Sequence, residues 1–382
     1  NFSTDGGTIK LDGNYPTGSN NVALGDGALD DGSLSGASNT AIGANSLTAN
    51  TSGTLNVAIG HNALASNTTG QQNTAIGRVA LQTNIAGICN TAIGHNALTT
   101  NICCFNTAVG NEALRLNTTG ENNTAVGTSA LAANTTGEKN TAVGKGSMTR
   151  NTTGKCNTGV GVDSFLFNTT GCQNTGVGNS SLAFNTTGDN NVAMGWKALN
   201  ANTTADNNTA VGMSALTANT TGAINTAVGY NTLCSNTTGG SNVAVGYEGL
   251  CTNTEGLYNV GIGRQSLKSN TTASGNTAVG MQSLCKNTTG ASNTAVGCAA
   301  LLCNTTGSSN TALGTGSLDS TTTGVQNTGV GAAIMTGLTE GNHNTAVGAA
   351  ALRSVTTGGC NIAMGVCALR ENTGSCNTAV GT

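Results

Sequence analysis

The residues of this 382-residue chain best suited to chemistry are its 13 cysteines, because a thiol can be oxidised, bind a metal ion or act as a nucleophile. Ten of them fall into five pairs whose members have similar separations along the chain. This common spacing predicts that the members of a pair lie on one side of neighbouring turns of a repeating structure. Cys103, Cys298 and Cys367 remain as candidate free thiols or links between subunits. The pairs are Cys89–Cys104, Cys156–Cys172, Cys234–Cys251, Cys285–Cys303 and Cys360–Cys376.

Two states of these thiols are open. Neighbouring turns about 4.8 Å apart would satisfy the Cα separation of a disulfide, so the pairs are candidate disulfides and indicate an oxidising compartment. The alternative is buried free thiols that fill small apolar spaces. A metal site is not expected, because no Cys-x-x-Cys motif occurs and His61 and His95 are too far apart along the repeat.

A second chemistry is offered by recurrent Asn-x-Thr sequences, the acceptor motif for N-glycosylation. Turn asparagines along one edge of a repeating structure would be accessible to a glycosyltransferase. The alternative is that Asn-Thr-Thr-Gly is simply a turn whose polar side chains form a ladder. The candidate acceptors are Asn67, Asn117, Asn134, Asn151, Asn168, Asn185, Asn202, Asn219, Asn236, Asn270, Asn287 and Asn304.

Groupings typical of enzymes do not stand out: there is no Ser, His and Asp set, no paired carboxylates and no phosphate-binding glycine motif. We therefore expect no enzyme activity, no catalytic residue and no cofactor. Aromatic residues are 3% of the chain, too few for a platform on which bases stack. Trp196, Tyr230 and Tyr247 recur at one repeat position and are the candidate contacts to a glycan.

All of these residues are placed by one repeat, Asn-x-(Ala/Gly)-(aliphatic)-Gly, which occurs 22 times. Consecutive copies are about 17 residues apart, and a strict period of this kind is the signature of a solenoid. In a solenoid, each repeat is one turn, or rung, stacked on the next. We predict an all-β parallel β-solenoid of about 22 rungs over residues 21–382, preceded by a capping segment over residues 1–20.

Counting the Asn of each copy as position 1, two short strands per rung are predicted, at positions 1 to 4 and 7 to 10. The aliphatic residue at position 4 and the Leu at position 9 are expected inside, as for Val143 and Leu131. A helix over positions 6 to 11 is the alternative, but so short a segment is too small for a stable one. Gly at position 5 turns the chain, and the Asn column at position 1 is expected to form an amide ladder.

The third position is always Ala or Gly, and this stripe predicts an interface. Examples are Ala142, Gly159, Gly176 and Ala193. A rung that buries two or three aliphatic side chains gains roughly 1.5–3 kcal/mol for each, whereas ordering its backbone costs roughly 1–2 kcal/mol per residue. We therefore expect a homo-oligomer in which the small residues let another chain, or a tightly packed second layer, approach closely.

The alternation of Asn-Thr-Ala-Val-Gly with Asn-Thr-Thr-Gly over residues 21–382 resembles the repeats of phage and virus tail-fibre proteins, and the opening from Gly7 to Pro16 looks like the lead-in to such repeats. The Asn-x-Ala-(Val/Ile)-Gly core is similar to the head repeats of trimeric autotransporter adhesins. Those repeats form left-handed parallel β-rolls that associate as trimers, so the resemblance implies a β-roll and favours a trimer. The chain departs from the adhesin pattern in its longer repeat.

Composition narrows the class of partner. The net charge is −3 and 8% of residues are charged, which argues against nucleic acid and acidic membrane surfaces as partners. Without an apolar run long enough to cross a bilayer, membrane insertion is not expected. We predict a structural fibre or filament protein at an extracellular or virion surface. The alternative is a receptor- or glycan-binding tail fibre or adhesin shaft. The end of this chain near Thr382 is expected either to stack on the Thr8 to Asn20 segment of another subunit or to continue into further sequence.

Overall fold

The computed structural model describes residues 18–382 and contains two compact units, Asn1–Thr187 and Gly188–Thr382. All regular secondary structure among the described residues is β-strand. No helix in this part of the chain is long and apolar enough to cross a membrane. Each unit is a parallel β-solenoid, as predicted. Most of the predicted capping segment, including the lead-in from Gly7 to Pro16, lies outside the described residues.

Each of the 22 copies of the repeat contributes one short strand. The strands of the first unit are β1 (Val22–Leu24), β2 (Thr40–Ile42), β3 (Val57–Ile59), β4 (Thr74–Ile76), β5 (Thr91–Ile93), β6 (Thr107–Val109), β7 (Thr124–Val126), β8 (Thr141–Val143), β9 (Thr158–Val160) and β10 (Thr175–Val177). Those of the second unit are β11 (Val192–Met194), β12 (Thr209–Val211), β13 (Thr226–Val228), β14 (Val243–Val245), β15 (Val260–Ile262), β16 (Thr277–Val279), β17 (Thr294–Val296), β18 (Thr311–Leu313), β19 (Thr328–Val330), β20 (Thr345–Val347), β21 (Ile362–Met364) and β22 (Thr378–Val380).

Within each unit, consecutive strands pair in parallel and in register. Thr141 of β8 lies beside Thr158 of β9, and Val143 lies beside Val160. Paired residues therefore hold the same repeat position, and each position forms a column of similar side chains at a spacing of about 4.8 Å.

The prediction of a second strand at positions 7 to 10 is wrong. At these positions Asn62 and Leu64 have φ angles of 58° and 52°, in the left-handed region that β-strands do not use. The segment is a turn whose amides bond in both directions. The Asn62 N–H donates to the Ala44 carbonyl of the preceding rung, and the Leu64 N–H donates to the Ala80 carbonyl of the following rung.

The interior of each unit is set by which strand positions point inward. The prediction for position 9 is confirmed, since Leu131 is fully buried. The prediction for position 4 is wrong, because Val143 is 36% exposed while its neighbour Ala142 is fully buried. A rung of this length encloses little space, and one large side chain at position 9 fills that space. Only Ala or Gly therefore fits opposite it, at position 3.

Two columns of asparagine amides complete the interior. At position 1, the predicted ladder is confirmed: Asn157 Oδ1 accepts hydrogen bonds from the Asn174 backbone N–H at 3.0 Å and from Asn174 Nδ2 at 3.2 Å. At position 12, Asn151 Nδ2 donates to Asn134 Oδ1 at 2.8 Å. These ladders satisfy buried amides that would otherwise be costly to remove from water.

The glycine at position 5 is required twice over. Gly144 has a φ of 130°, a conformation that residues with a Cβ rarely adopt. A Cβ there would also collide with the backbone carbonyl of Gly161 in the following rung. The glycine therefore allows both the turn and the close stacking of rungs.

Position 17 also has a positive φ, and this gives a stability prediction. Ile224 has a φ of 61° and is 61% exposed, so Ile224→Gly removes backbone strain and little burial. We expect a net gain of about 0.5–1 kcal/mol in the free energy of unfolding, measured by urea denaturation. The matched control is Gly275→Ile at the same position, where a Cβ comes no nearer than 3.7 Å to another atom, so the expected loss comes from φ alone. Equal stability of both variants and the parent would contradict this explanation.

Candidate functional site

The most extensive candidate site is the outward side of each unit's sheet. We call it the outer face and define it as positions 2 and 4 of strands β1–β10 in the first unit and β11–β22 in the second. Position 2 is always Thr, Val or Ile, and position 4 is always Val, Ile, Leu or Met. No charged residue stands at either position in these strands.

The outer face exposes apolar side chains in a regular array. Val126 is 37% exposed, Met194 44% and Leu313 47%. Because the strands are in register, position 4 forms a straight column of aliphatic side chains in each unit, and position 2, which is Thr in most strands, forms a second column about 7 Å away along the strand. Exposed apolar columns of this length are a common feature of interaction surfaces.

The four small residues predicted to form an interface do not lie on this surface. Ala142 and Ala193 are fully buried inside the coil of their own chain. A Cβ added to Gly159 would come within 3.0 Å of Met148 Cε, and one added to Gly176 within 2.5 Å of Phe165 Cε2. The predicted contact with another chain is therefore wrong. These small residues instead pack against the position 9 side chains of their own chain. This matches the alternative expectation of a tightly packed second layer.

The predicted glycosylation sites are likewise interior, and the polar ladder considered as the alternative is what the structure contains. In Asn151, the amide nitrogen that would carry a glycan donates to Asn134 Oδ1 and, at 3.1 Å, to the Gly154 carbonyl. A glycan on this atom is incompatible with the folded rung. The same full burial corrects the prediction for all twelve candidates: Asn67, Asn117, Asn134, Asn151, Asn168, Asn185, Asn202, Asn219, Asn236, Asn270, Asn287 and Asn304.

Among the predicted cysteine pairs, two share a column. Cys234 and Cys251 both hold position 10 of adjacent rungs, and their Sγ atoms are 2.7 Å apart. Cys360 and Cys376 are equivalent in backbone conformation, with φ angles of 58° and 60°. All thirteen cysteines are free thiols in the structure, and pairing stays a prediction.

The other three pairs are offset by one position, so their members do not share a column. The Cys172 Sγ accepts from the Lys155 N–H at 3.3 Å, which places it beside Lys155 rather than Cys156. The same offset separates Cys89 from Cys104, whose Sγ accepts from the Ile88 N–H at 3.3 Å. The third offset pair is Cys285 and Cys303, in which Cys303 Sγ lies 3.8 Å from Lys286 Nζ.

The Cys234–Cys251 pair has charged neighbours that the sequence reasoning missed. Lys268 holds the next place in the position 10 column, and its Nζ lies 2.7 Å from Glu248 Oε2. Cys285 follows Lys268 in the same column. Tabulating position 10 rung by rung would have found this row in the sequence. Among residues 18–382 there is no group of three or more potential metal ligands.

The thiols of the pair influence each other's ionisation. A hydrogen bond from the Cys251 thiol lowers the pKa of Cys234 to about 7. The same hydrogen bond, followed by burial, raises the pKa of Cys251. Burial also raises the pKa of Cys285. The arrangement therefore favours one thiolate, on Cys234, beside a protonated thiol on Cys251.

Of the three candidate glycan contacts, the structure brings two together. The rings of Tyr230 and Tyr247 stack with centroids 5.3 Å apart. Trp196 lies in the same column, and Met213 stands between it and Tyr230. The sequence reasoning missed a second stack, Phe167 on Phe184, with centroids 5.1 Å apart.

No protein-family model matches the chain, and no curated protein matches it either. What the structure establishes is the architecture, a parallel β-solenoid in which each rung contributes one strand.

Proposed function

We propose that this chain is a non-enzymatic structural protein whose copies associate through their outer faces into an elongated fibre or filament. The observation that carries the proposal is the uncharged outer face, which has an aliphatic residue at position 4 and Thr, Val or Ile at position 2 of every strand. Such a face can pack against an identical face, because each partner presents the same columns of Val, Ile and Thr.

The area of the outer face is adequate for a stable complex. A strand of this length spans roughly 10 Å and the strand spacing is about 4.8 Å, so each rung offers roughly 50 Å². The ten strands of the first unit therefore offer roughly 500 Å² and the twelve of the second roughly 600 Å², so contacts through the faces of both units would exceed the roughly 800 Å² per partner of a standard protein interface. Association would also bury apolar side chains that the narrow interior cannot accept.

The interior of the units gives a reason for association. Each rung encloses one large side chain, such as Leu131, together with Ala and Asn residues. The outward side chains at position 4 leave apolar surface exposed, as for Val126, Met194 and Leu313. Covering them would add hydrophobic stabilisation of roughly 25 cal/mol per Å² of apolar area, before the cost of association.

The proposal extends to the oligomeric state and the location of the protein. The resemblance to tail-fibre repeats and adhesin heads supports a homo-oligomer, with a trimer favoured, at an extracellular or virion surface. The thirteen cysteines are compatible with such a location, because disulfides persist in oxidising compartments.

A second candidate function is binding of a cell-surface glycan or receptor. It is favoured by the stacked Tyr230 and Tyr247 and by the exposed Trp196 in their column. Aromatic faces of this kind combine apolar contact with polar groups at the ring edge. Glycan or receptor binding ranks second because these aromatic residues occupy only a few rungs of one unit, whereas the outer face extends through every rung.

The proposal is tested by placing charge on the outer face. In the triple variant Val126→Lys, Val143→Lys and Val160→Lys, the new side chains point outward, so we expect retained β-structure in circular dichroism. We expect at least a hundredfold weaker self-association in sedimentation velocity, because three ammonium groups would have to be desolvated in the interface.

The matched control places the same three charges on the exposed turn at position 14 of the same rungs, as Thr136→Lys, Thr153→Lys and Thr170→Lys. This variant is expected to assemble like the parent chain. A parent chain that stays monomeric at tens of micromolar would refute assembly itself. Equal assembly of both triple variants would show that another surface is used.

A further inference from the structure

We propose that Cys234 and Cys251 form a thiol–disulfide exchange site, which reacts with small-molecule disulfides and closes into a reversible bond between adjacent rungs. The inference goes beyond passive cross-links at every pair, and it is independent of the proposed assembly. It rests on geometry, because these two Sγ atoms lie 2.7 Å apart in one column of the solenoid.

The backbone already has the dimensions that the bond requires. Adjacent in-register rungs are about 4.8 Å apart, which lies within the Cα separation of roughly 4.4–6.8 Å found in disulfides. The two rungs are held in this register by pairing of β13 with β14, where Val228 lies beside Val245. The bond can therefore form without displacing the backbone.

The surroundings favour Cys234 as the attacking group. The hydrogen bond from Cys251 that brings the pKa of Cys234 to about 7 leaves a substantial thiolate fraction at neutral pH. The charged neighbours of the pair are Glu248, which disfavours a thiolate, and Lys268, which pairs with Glu248 at 2.7 Å and offsets it.

The reaction has two steps. The Cys234 thiolate attacks one sulfur of a disulfide R–S–S–R, its S–S bond breaks, and R–S⁻ leaves and takes a proton from water. Cys251 then loses its proton to water and attacks Cys234 Sγ, the bond between Cys234 Sγ and the second R–S group breaks, and the released R–S⁻ also takes a proton from water. The two protein thiols are oxidised by two electrons and R–S–S–R is reduced to two R–SH. The product joins rungs 225–241 and 242–258.

The experiment exposes the fully reduced chain to oxidised glutathione at pH 7, quenches with acid, alkylates the remaining thiols and maps peptides without reduction. We expect the Cys234–Cys251 cross-link to form about tenfold faster than the Cys360–Cys376 cross-link, because the first pair is already in contact. Cys360 and Cys376 are the matched control, since they share a column but are both exposed.

Two single variants identify the roles. Cys251→Ser removes the resolving thiol, so a glutathione adduct should accumulate on Cys234, whereas Cys285→Ser should leave the cross-link unchanged. The parent chain carries the test even if a variant fails to fold. Equal rates at Cys234–Cys251 and Cys360–Cys376, or no cross-link between Cys234 and Cys251, would overturn the proposal. So would an adduct in Cys251→Ser that forms on Cys234 no faster than on Cys360.

Discussion

Asn151→Asp is expected to destabilise the first unit by about 3 kcal/mol or more, although it replaces one atom by another of similar size. Asn151 is fully buried, and its Nδ2 donates to Asn134 Oδ1 and to the Gly154 carbonyl. The new carboxylate would place an acceptor against these two acceptors. Its other oxygen would still accept from Asn168 Nδ2, as the Asn151 Oδ1 does now at 2.8 Å.

The loss of stability caused by Asn151→Asp should increase as pH rises. Burial beside acceptors raises the folded-state pKa of the new carboxyl above its unfolded value of about 3.9. The unfolded chain then loses its proton first as pH rises. The penalty is therefore smallest below about pH 4 and grows up to the folded-state pKa. Urea denaturation at pH 3.5 and pH 7, each compared with the parent chain, measures the difference.

The control is Asn122→Asp, the same substitution at an exposed residue of the same unit. It should change stability by no more than about 0.5 kcal/mol at either pH. Hydrogen exchange should show faster opening confined to the rungs around residue 151, because a solenoid rung depends mainly on its nearest neighbours. A variant as stable as the parent at pH 7 would mean that the amide ladder contributes little.

The period of the repeat was sufficient to predict the solenoid, its parallel pairing and the length of its rungs. It did not determine which face of each strand points inward, because alternation has the same period whichever face is buried. The deciding information was size. Leu131 and Ala142 of the following rung can pack together in the narrow interior, whereas Leu131 and Val143 together cannot.

A missing turn residue changes the register of Cys104. Counting from the repeat Asn assigns Cys104 to position 15, but its rung is one residue short in the turn. Asn101 Nδ2 accordingly donates to the carbonyl of Cys103, two residues on, whereas in Asn84 the partner is Gly87, three residues on. Cys104 therefore stands at position 16 beside Ile88 rather than at position 15 beside Gly87, and it remains one position away from Cys89. A missing turn residue shifts every later position of its rung, which spacing alone does not reveal.

The second large loss of stability is expected for Gly176→Ala, because the side chains at positions 3 and 9 compete for the same interior space. Gly176 lies in β10 without a positive φ, so its backbone accepts Ala and only space is limiting. The added Cβ would lie 2.5 Å from Phe165 Cε2 and 3.0 Å from Ser181 Oγ. We expect a loss of about 1–3 kcal/mol in the free energy of unfolding, because Phe165 is fully buried and cannot move away.

The substitution should be rescued by Phe165→Leu. The double variant recreates the arrangement of Leu131 and Ala142, which stand at the same positions two rungs earlier and are both fully buried. Alone, Phe165→Leu leaves a cavity and should cost about 1–2 kcal/mol. The double-mutant cycle, measured by urea denaturation, should therefore give a favourable coupling of at least about 1 kcal/mol. The control Val177→Ile adds a methyl group on the outward side of the same strand and should change stability by less than about 0.5 kcal/mol. Additive losses in the double variant would contradict the proposed coupling between the side-chain volumes at positions 3 and 9.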